Sequence, residues 1–476
     1  MAAWLDLFFL VYFILLNGNY AFLISLSMVE VARRNAYRIP EQERRLLKDP
    51  HTPPITLLAP AYNEEATIID SVDNFLRQRY PDLRIMVIND GSEDDTMLKL
   101  ITQYKLEPIN RIIRQQIATA PVKTIFQSMV DPRLWVIDKE HSGKADSLNV
   151  GINACQTPLV CSVDSDTLLD RQALLRMVDQ FILDPETVAV GGAIYIANSC
   201  KLEDGHCEAV GLPGSWLARF QIVEYLRAFL YGRIGYNPLG GSMIISGAFG
   251  LFSKEALLES GGYFSDTVGE DMEMVVRLHK NMRKNKKPYK IKYVPDPISY
   301  TEVPEDVGTL GRQRDRWQRG LADSLLRHPA FFFNPKYGWS GIYTYPSLLL
   351  FELLGPVIEV LGYAWFAYSL IFRNIDPTVA VMILAAAFFF TSILSLQSLV
   401  LDAIFGNVYQ GAGVRFKLFL VALLENFGYR QITLFYRLKG MFRYFTGERA
   451  WGEMKRKGFS HDTQGQETQV EQPSRS

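Results

Sequence analysis

Leu159-Val160-Cys161-Ser162-Val163-Asp164-Ser165-Asp166 combines a buried run with an acidic end, and the architecture can be read from that combination. Five uncharged residues read as a short buried strand, and the triplet that ends it sets two carboxylates one residue apart. On either side, Ile55 to Ala59, Arg84 to Asn89 and Leu134 to Ile137 repeat the strand signal. Helix-like segments lie between the runs, at Glu65 to Gln78 and Ala145 to Ala154. Strands alternating with helices predict an α/β domain with a mostly parallel sheet covered on both faces. Ligands bind such sheets at the carboxyl ends of the strands. The polar residues after each run are therefore the candidates, and they are acidic: Asn89-Asp90-Gly91-Ser92 after one, Asp164-Ser165-Asp166 after another. Paired carboxylates offer hard oxygen ligands to Mg²⁺ or Mn²⁺, which would neutralise a diphosphate leaving group. Taken alone, such a triplet is also common on a solvated loop.

The 476 residues carry a net charge of −1 and are 48% hydrophobic, a balance that argues against nucleic acid as partner. The apolar residues are unevenly placed. Leu5 to Val31 is nearly uncharged and long enough, at ~1.5 Å per residue, to cross a ~30 Å hydrocarbon core. Arg33, Arg34 and Arg38 come directly after it while Asp6 alone marks the other flank, so the positive-inside rule puts the next part of the chain in the cytoplasm. Two more apolar blocks, Tyr345 to Phe372 and Thr378 to Phe405, are separated by Arg373-Asn374-Ile375-Asp376-Pro377 and read as a hairpin of spans. Phe416 to Leu438 carries Glu425, Asn426, Arg430 and Gln431, costly at mid-bilayer, and reads as a helix on the interface or along a polar cavity. The expected organisation is a transmembrane helix over 4–31, a cytoplasmic domain over 50–335 and a membrane region over 345–440. A basic cytoplasmic segment over 441–459 and a disordered tail over 460–476 complete it. Of four cysteines, Cys200 and Cys207 flank a short polar stretch and could pair, but free thiols are expected.

In order along the chain stand Pro60-Ala61-Tyr62-Asn63-Glu64-Glu65, Asn89-Asp90-Gly91-Ser92, His141-Ser142-Gly143-Lys144-Ala145 and Asp164-Ser165-Asp166. Thr267-Val268-Gly269-Glu270-Asp271 and Gln313-Arg314-Asp315-Arg316-Trp317 come next. This succession resembles glycosyltransferase family 2, and the last motif matches the Q-x-x-R-W signature of its processive members, the cellulose, chitin, hyaluronan and poly-N-acetylglucosamine synthases. The resemblance implies a Rossmann-like GT-A domain with flanking transmembrane helices, in a multi-pass protein of the plasma membrane. It implies a UDP-sugar donor, with UDP-N-acetylglucosamine favoured and UDP-glucose next, a growing β-linked polysaccharide as acceptor, and Mg²⁺ or Mn²⁺. Position by position, Tyr62, Glu64 and Asp90 would hold the nucleotide, and Lys144 would balance the diphosphate charge. Asp164 would lie on the ribose side and Asp166 on the metal. Asp271 would be the general base. Gln313, Arg316 and Trp317 would shape the acceptor end, Arg316 towards the diphosphate and Trp317 stacked on the terminal sugar. A carboxylate far in sequence from the metal pair suits inverting displacement, which needs a base opposite the leaving group; a helix-capping acid is the other reading of Asp271.

Two departures from the family pattern stand out: Asn89 replaces a common acid, and Gly269 a common threonine. With one span before the domain, a self-contained polymer channel is doubtful, so a partner subunit or a dimer is expected for export, beside contacts with membrane lipids. A single transfer to a lipid acceptor, or a non-catalytic subunit of an export complex, is the competing reading.

Overall fold

The computed structural model describes residues 2–37, 42–203, 206–372, 375–404 and 408–447. The basic segment expected over 441–459 lies mostly outside them, and the tail over 460–476 wholly so. Alternating apolar residues build twelve strands among the described residues. They are β1 Ile55–Ala61, β2 Leu83–Asn89, β3 Leu106–Ile109, β4 Val122–Ser128, β5 Leu134–Lys139 and β6 Leu159–Val163, followed by β7 Thr167–Leu169, β8 Thr187–Ile196, β9 Cys200–Glu203, β10 His206–Val210, β11 Phe249–Ser253 and β12 Lys290–Thr301. Ten of them form one sheet in the order β3-β4-β5-β2-β1-β6-β11-β8-β12-β7. Only its central run, β5-β2-β1-β6, is continuously parallel. β4 returns as a hairpin neighbour of β5, and β11 runs against both β6 and β8. The sheet is thus mixed rather than mostly parallel, because the chain reaches β11 after a long excursion and re-enters from the far end.

The two faces of the sheet reflect the strand period of two. Ile55, Leu57 and Ala59 of β1 join Ile85 and Val87 of β2 in one buried cluster, with Val72 and Phe75 of the Ile68–Leu76 helix. Leu58, Met86 and Ile88 face the other way, onto Leu148 and Ile152 of the Lys144–Ala154 helix and Met274 and Leu278 of the Glu270–Lys284 helix.

Among the described residues, three helices are long and apolar enough to cross a membrane: Ala3–Arg33, Gly355–Phe372 and Pro377–Ile404. The second is shorter than the apolar block suggested. Tyr345, Leu348 and Leu353 are buried against Met243, Met272 and Leu325, so that part of the block packs on the α/β domain. Phe416 to Leu438 is split between the helices Ala412–Leu424 and Tyr429–Phe445. The first, with 13 residues, is about 20 Å long, too short to cross a ~30 Å core. At the break Glu425 is fully buried and pairs with Arg227 at 2.5 Å.

Cys200 and Cys207, expected as free thiols, lie on the β9–β10 hairpin with Cα atoms 5.5 Å apart and form a disulfide. The antiparallel pairing of β9 with β10 brings the two within bridging reach. Cys155 and Cys161 are free and buried.

Candidate active site

The register of the parallel run collects the polar strand ends on one edge. Ala61 pairs with Asn89, Asn89 with Asp138, and Leu58 with Ser162. This edge opens into a cavity of about 3140 Å³. Tyr62, Glu64, Asp90, Lys144, Asp164, Asp166, Asp271, Gln313, Arg316 and Trp317 all line it. Residues spread over more than half the chain therefore meet in one space.

Lys144 is the hub of the charged wall. Its Nζ is 2.6 Å from Asp164 Oδ1 and 3.4 Å from Glu270 Oε1. Burial works against the ammonium, yet Asp164, Glu270 and Asp271 around it hold its pKa above the ordinary lysine range. Burial, followed by the neighbouring Asp271, pushes the Glu270 carboxyl up, against the pull of Lys144. Asp271 lies in the first turn of the Glu270–Lys284 helix. Its Oδ2 accepts from Gly247 N–H and its Oδ1 from Met272 N–H, both at 2.8 Å. The contact with Gly247 depends on the absent side chain, since a Cβ there would lie 2.6 Å from Lys144 Nζ and 3.4 Å from Asp271 Oδ2. Sequence reasoning missed Gly247; the run of small residues Ser246-Gly247-Ala248 just before β11 was the signal.

Asp90 is buried, and its carboxylate is engaged by the protein itself. Lys139 Nζ lies 2.6 Å from it, and the backbone N–H groups of Ser142 and Gly143 donate to it at 3.0 and 2.8 Å. It thereby anchors the loop that delivers Lys144. Buried Lys139, which also pairs with Asp146 at 3.0 Å, is a second residue the sequence reading passed over. The exposed Tyr62 ring lies 4.3 Å from the His141 ring, a flat rim for the cavity. Glu64 accepts from Thr67 Oγ1 at 2.9 Å, at the start of the Ile68–Leu76 helix.

The Val307–Leu326 helix brings the last motif. Gln313 and Arg314 are buried, while Trp317 is 40% exposed and presents ring surface to the cavity. Arg314 donates to Gln313 Oε1 at 2.5 Å and to Glu224 Oε2 at 2.6 Å, and its guanidinium sits 4.2 Å from the Trp317 ring centroid. Glu224 belongs to the Trp216–Tyr225 helix, which runs into a π-helical turn, Leu226–Tyr231. Such turns re-aim side chains; here Tyr225 and Arg227 line the cavity. The helices bearing Asp271 and Trp317 meet at a glycine pair: a Cβ on Gly269 would lie 2.9 Å from Gly320 Cα. That close approach leaves no room for the threonine common at position 269.

Away from the charged wall the same cavity continues between the apolar helices. It is lined there by Asn19, Tyr20, Glu352, Tyr363, Trp365 and, near the chain start, Asp6. Tyr20 donates to Glu352 at 3.1 Å, and Trp365 Nε1–H to Asp6 at 2.8 Å. Arg430 and Arg437, both in the stretch expected to lie on the interface or along a polar cavity, line it too.

A sequence model of Glycosyl transferase family group 2 matches residues 159–394, and one of Glycosyl transferase family 2 matches residues 56–121. The chain belongs to glycosyltransferase family 2. Among curated proteins, this glycosyltransferase is 32% identical over 308 residues to the poly-beta-1,6-N-acetyl-D-glucosamine synthase of Staphylococcus aureus (strain COL), covering 64% of this chain and 62% of that one. It is 27% identical over 339 residues to the synthase of the same name from Staphylococcus epidermidis, covering 71% of this chain and 70% of that one. The chain thus spans somewhat less than two thirds of the S. aureus relative. Among solved structures, the mannosyltransferase PcManGT from Pyrobaculum calidifontis, in complex with GDP-Man and Mn²⁺, superposes with a TM-score of 0.50 at 18% identity, covering 87% of this chain and 99% of that one. That likeness establishes the glycosyltransferase fold. With three apolar helices flanking the α/β domain, the enzyme is a membrane protein.

Proposed function

We propose that this glycosyltransferase carries out processive, inverting transfer of a hexose unit from a UDP-sugar to the non-reducing end of a growing β-linked polysaccharide. UDP-N-acetylglucosamine is the favoured donor, in line with the curated relatives. The observation that carries the reading is the continuity of one cavity from Asp271, Lys144 and Trp317 into the space between the apolar helices. A single-transfer enzyme has no need of such a path, whereas a polymer lengthened at Asp271 has to leave by one. The tyrosines, tryptophan and hydrogen-bonding groups along it suit a sugar chain, through flat apolar contact and polar rungs. The domain would face the cytoplasm and the path would lead outward, an orientation supported by Arg33 and Arg34 at that end of the first span.

In the reaction, Asp271 takes the proton of the acceptor hydroxyl as its oxygen attacks the anomeric carbon. The bond from that carbon to the diphosphate oxygen breaks, and UDP leaves with the electron pair. Gly247 and Met272 N–H groups hold the carboxylate in place. Tyr62 and Glu64, which line the cavity, would contact the nucleotide, with Asp90 fixing the neighbouring loop. Lys144 and Arg316 supply positive charge towards the diphosphate, and Gln313 and Trp317 shape the acceptor end.

Asp164 and Asp166 fit a divalent metal. Both line the cavity, and among the described residues no group of three or more His, Cys, Asp or Glu could hold an ion unaided. Mg²⁺ and Mn²⁺ are commonly held by one or two carboxylates together with substrate phosphates, which matches this donor set. When bound, the ion would neutralise charge developing on the diphosphate.

The test is UDP release by detergent-purified protein with Mg²⁺ or Mn²⁺ over a panel of UDP-sugars, with products sized by mass spectrometry. We expect turnover with one donor, a ladder of products, and in Asp271→Asn a loss on the order of 10³-fold, as for removal of a general base. A single added sugar without a ladder would refute processivity. Full activity in Asp271→Asn would remove it as base.

A further inference from the structure

The Lys144–Ala154 helix has a second cavity at its other end, about 300 Å³ in volume. The helix, with 11 residues, is about 16 Å long, so this space lies well away from Lys144 and the site above. Arg111, Arg114 and Lys254 line it with Trp135, Asn153 and Gln156, and among the described residues no aspartate or glutamate does. The Arg84 and Arg111 guanidiniums sit 5.1 and 4.2 Å from the Trp135 ring centroid. Burial and the neighbouring Arg84 both press the Arg111 pKa below the ordinary arginine range, with no carboxylate acting against them. Like charges gathered on a partly enclosed wall repel one another, and that cost is offset when an anion lies between them.

The wall is also tied to the donor end of the helix. Gln116 and Ile117 N–H groups, on the loop that carries Arg111 and Arg114, donate to Asn153 Oδ1 at 3.0 Å. Ala120 N–H of the same loop donates to Asp146 at 3.1 Å. Asp146 is two residues from Lys144, which rests on Asp164. A ligand that draws Arg111 and Arg114 inward therefore pulls on the element that positions Lys144.

We propose that this cavity is a second site, for a small phosphorylated anion, and that its occupancy is coupled through the Lys144–Ala154 helix to binding at the nucleotide end. Arginine forks match phosphate oxygens, and a volume of about 300 Å³ admits a sugar phosphate or a nucleoside monophosphate. The binding claim is independent of the donor proposed above; only the coupling claim rests on it.

The full chain in detergent, with Mg²⁺ and saturating UDP to cover the nucleotide end, is titrated with inorganic phosphate, glucose 6-phosphate and AMP while its melting temperature is tracked. We expect millimolar glucose 6-phosphate or AMP to raise Tm by several degrees, the stronger of the two identifying the source of the phosphate. Arg111→Gln/Arg114→Gln should melt as the wild type does without ligand and lose the shift; Arg114→Gln alone, on an exposed side chain, should weaken it if the double variant misfolds. No shift with any probe, an equal shift in the variants, or the same shift from sodium chloride at matched ionic strength overturns the site. In the second arm UDP affinity is measured with and without the effective probe. A change of threefold or more, absent in the variants, supports coupling, because linkage between two sites is reciprocal. Binding with unchanged UDP affinity overturns the coupling and leaves the site.

Discussion

Gly269→Ala tests the packing that brings Asp271 and Trp317 together. A Cβ on residue 269 would stand 2.9 Å from Gly320 Cα and 3.1 Å from its carbonyl carbon and oxygen. These are backbone atoms of the Val307–Leu326 helix, so no side chain can rotate away. Ordinary van der Waals contact begins near 3.4 Å, so the two helices must part by about half an ångström or more. Overpacking of this kind costs about 1–3 kcal/mol, which lowers Tm by several degrees. Activity suffers more than stability, since Asp271 and Trp317 sit on the helices that move apart and a misplacement of about 1 Å can cost on the order of 10²-fold in rate. The assay is a melt in detergent beside UDP release, with Gly413→Ala as the control. Gly413 has nothing within 4 Å of its would-be Cβ, and alanine there should be neutral or stabilising by up to about 1 kcal/mol. Unchanged Tm together with kcat within about twofold of wild type would refute the close-approach argument.

Two further predictions concern pH. Burial raises the Glu270 pKa above its ordinary value, so its charged form is a cost to the folded state that grows as pH rises through that shifted range. Glu270→Gln should therefore melt higher than wild type at neutral pH and match it in acid; a constant difference across pH would sink the idea. Fully buried His279 donates from Nε2 to Ser242 O and meets the Tyr289 hydroxyl at Nδ1, and burial lowers its pKa from 6.5 to about 4. The neutral ring stabilises the fold above pH 6.5, and that contribution is lost as pH falls towards 4, where the unfolded chain takes the proton first. The decline in Tm over this window should be shallower in His279→Gln, and an identical slope would show that other groups dominate acid unfolding.

Much of the candidate site, as residues that line one cavity, was legible in the sequence because they sit at strand ends and helix starts, where period and punctuation mark them locally. Asp164 and Asp166 end a run of five buried residues, and Asp271 opens a helix whose apolar stripe is evident in Met272, Val275 and Val276. The engagement of Asp90 by Lys139 and the Ser142-Gly143 backbone was not legible, since those groups meet only across β2 and β5. Nor was the role of Gly247, which matters for what it leaves out.

The α/β alternation, the apolar segments, and the polar residues at the ends of buried runs are all written in local order along the chain. They depend on hydrophobic period and on near neighbours, so reading the residues in succession is enough to find them. The mixed sheet, the packing of Tyr345, Leu348 and Leu353 on the domain instead of in a span, and the meeting of Cys200 with Cys207 emerge only in three dimensions. So does the single cavity that joins the charged wall to the space between the helices. Each of these turns on how whole elements meet, so burial and contact are set jointly by several of them and leave no periodic trace in any one.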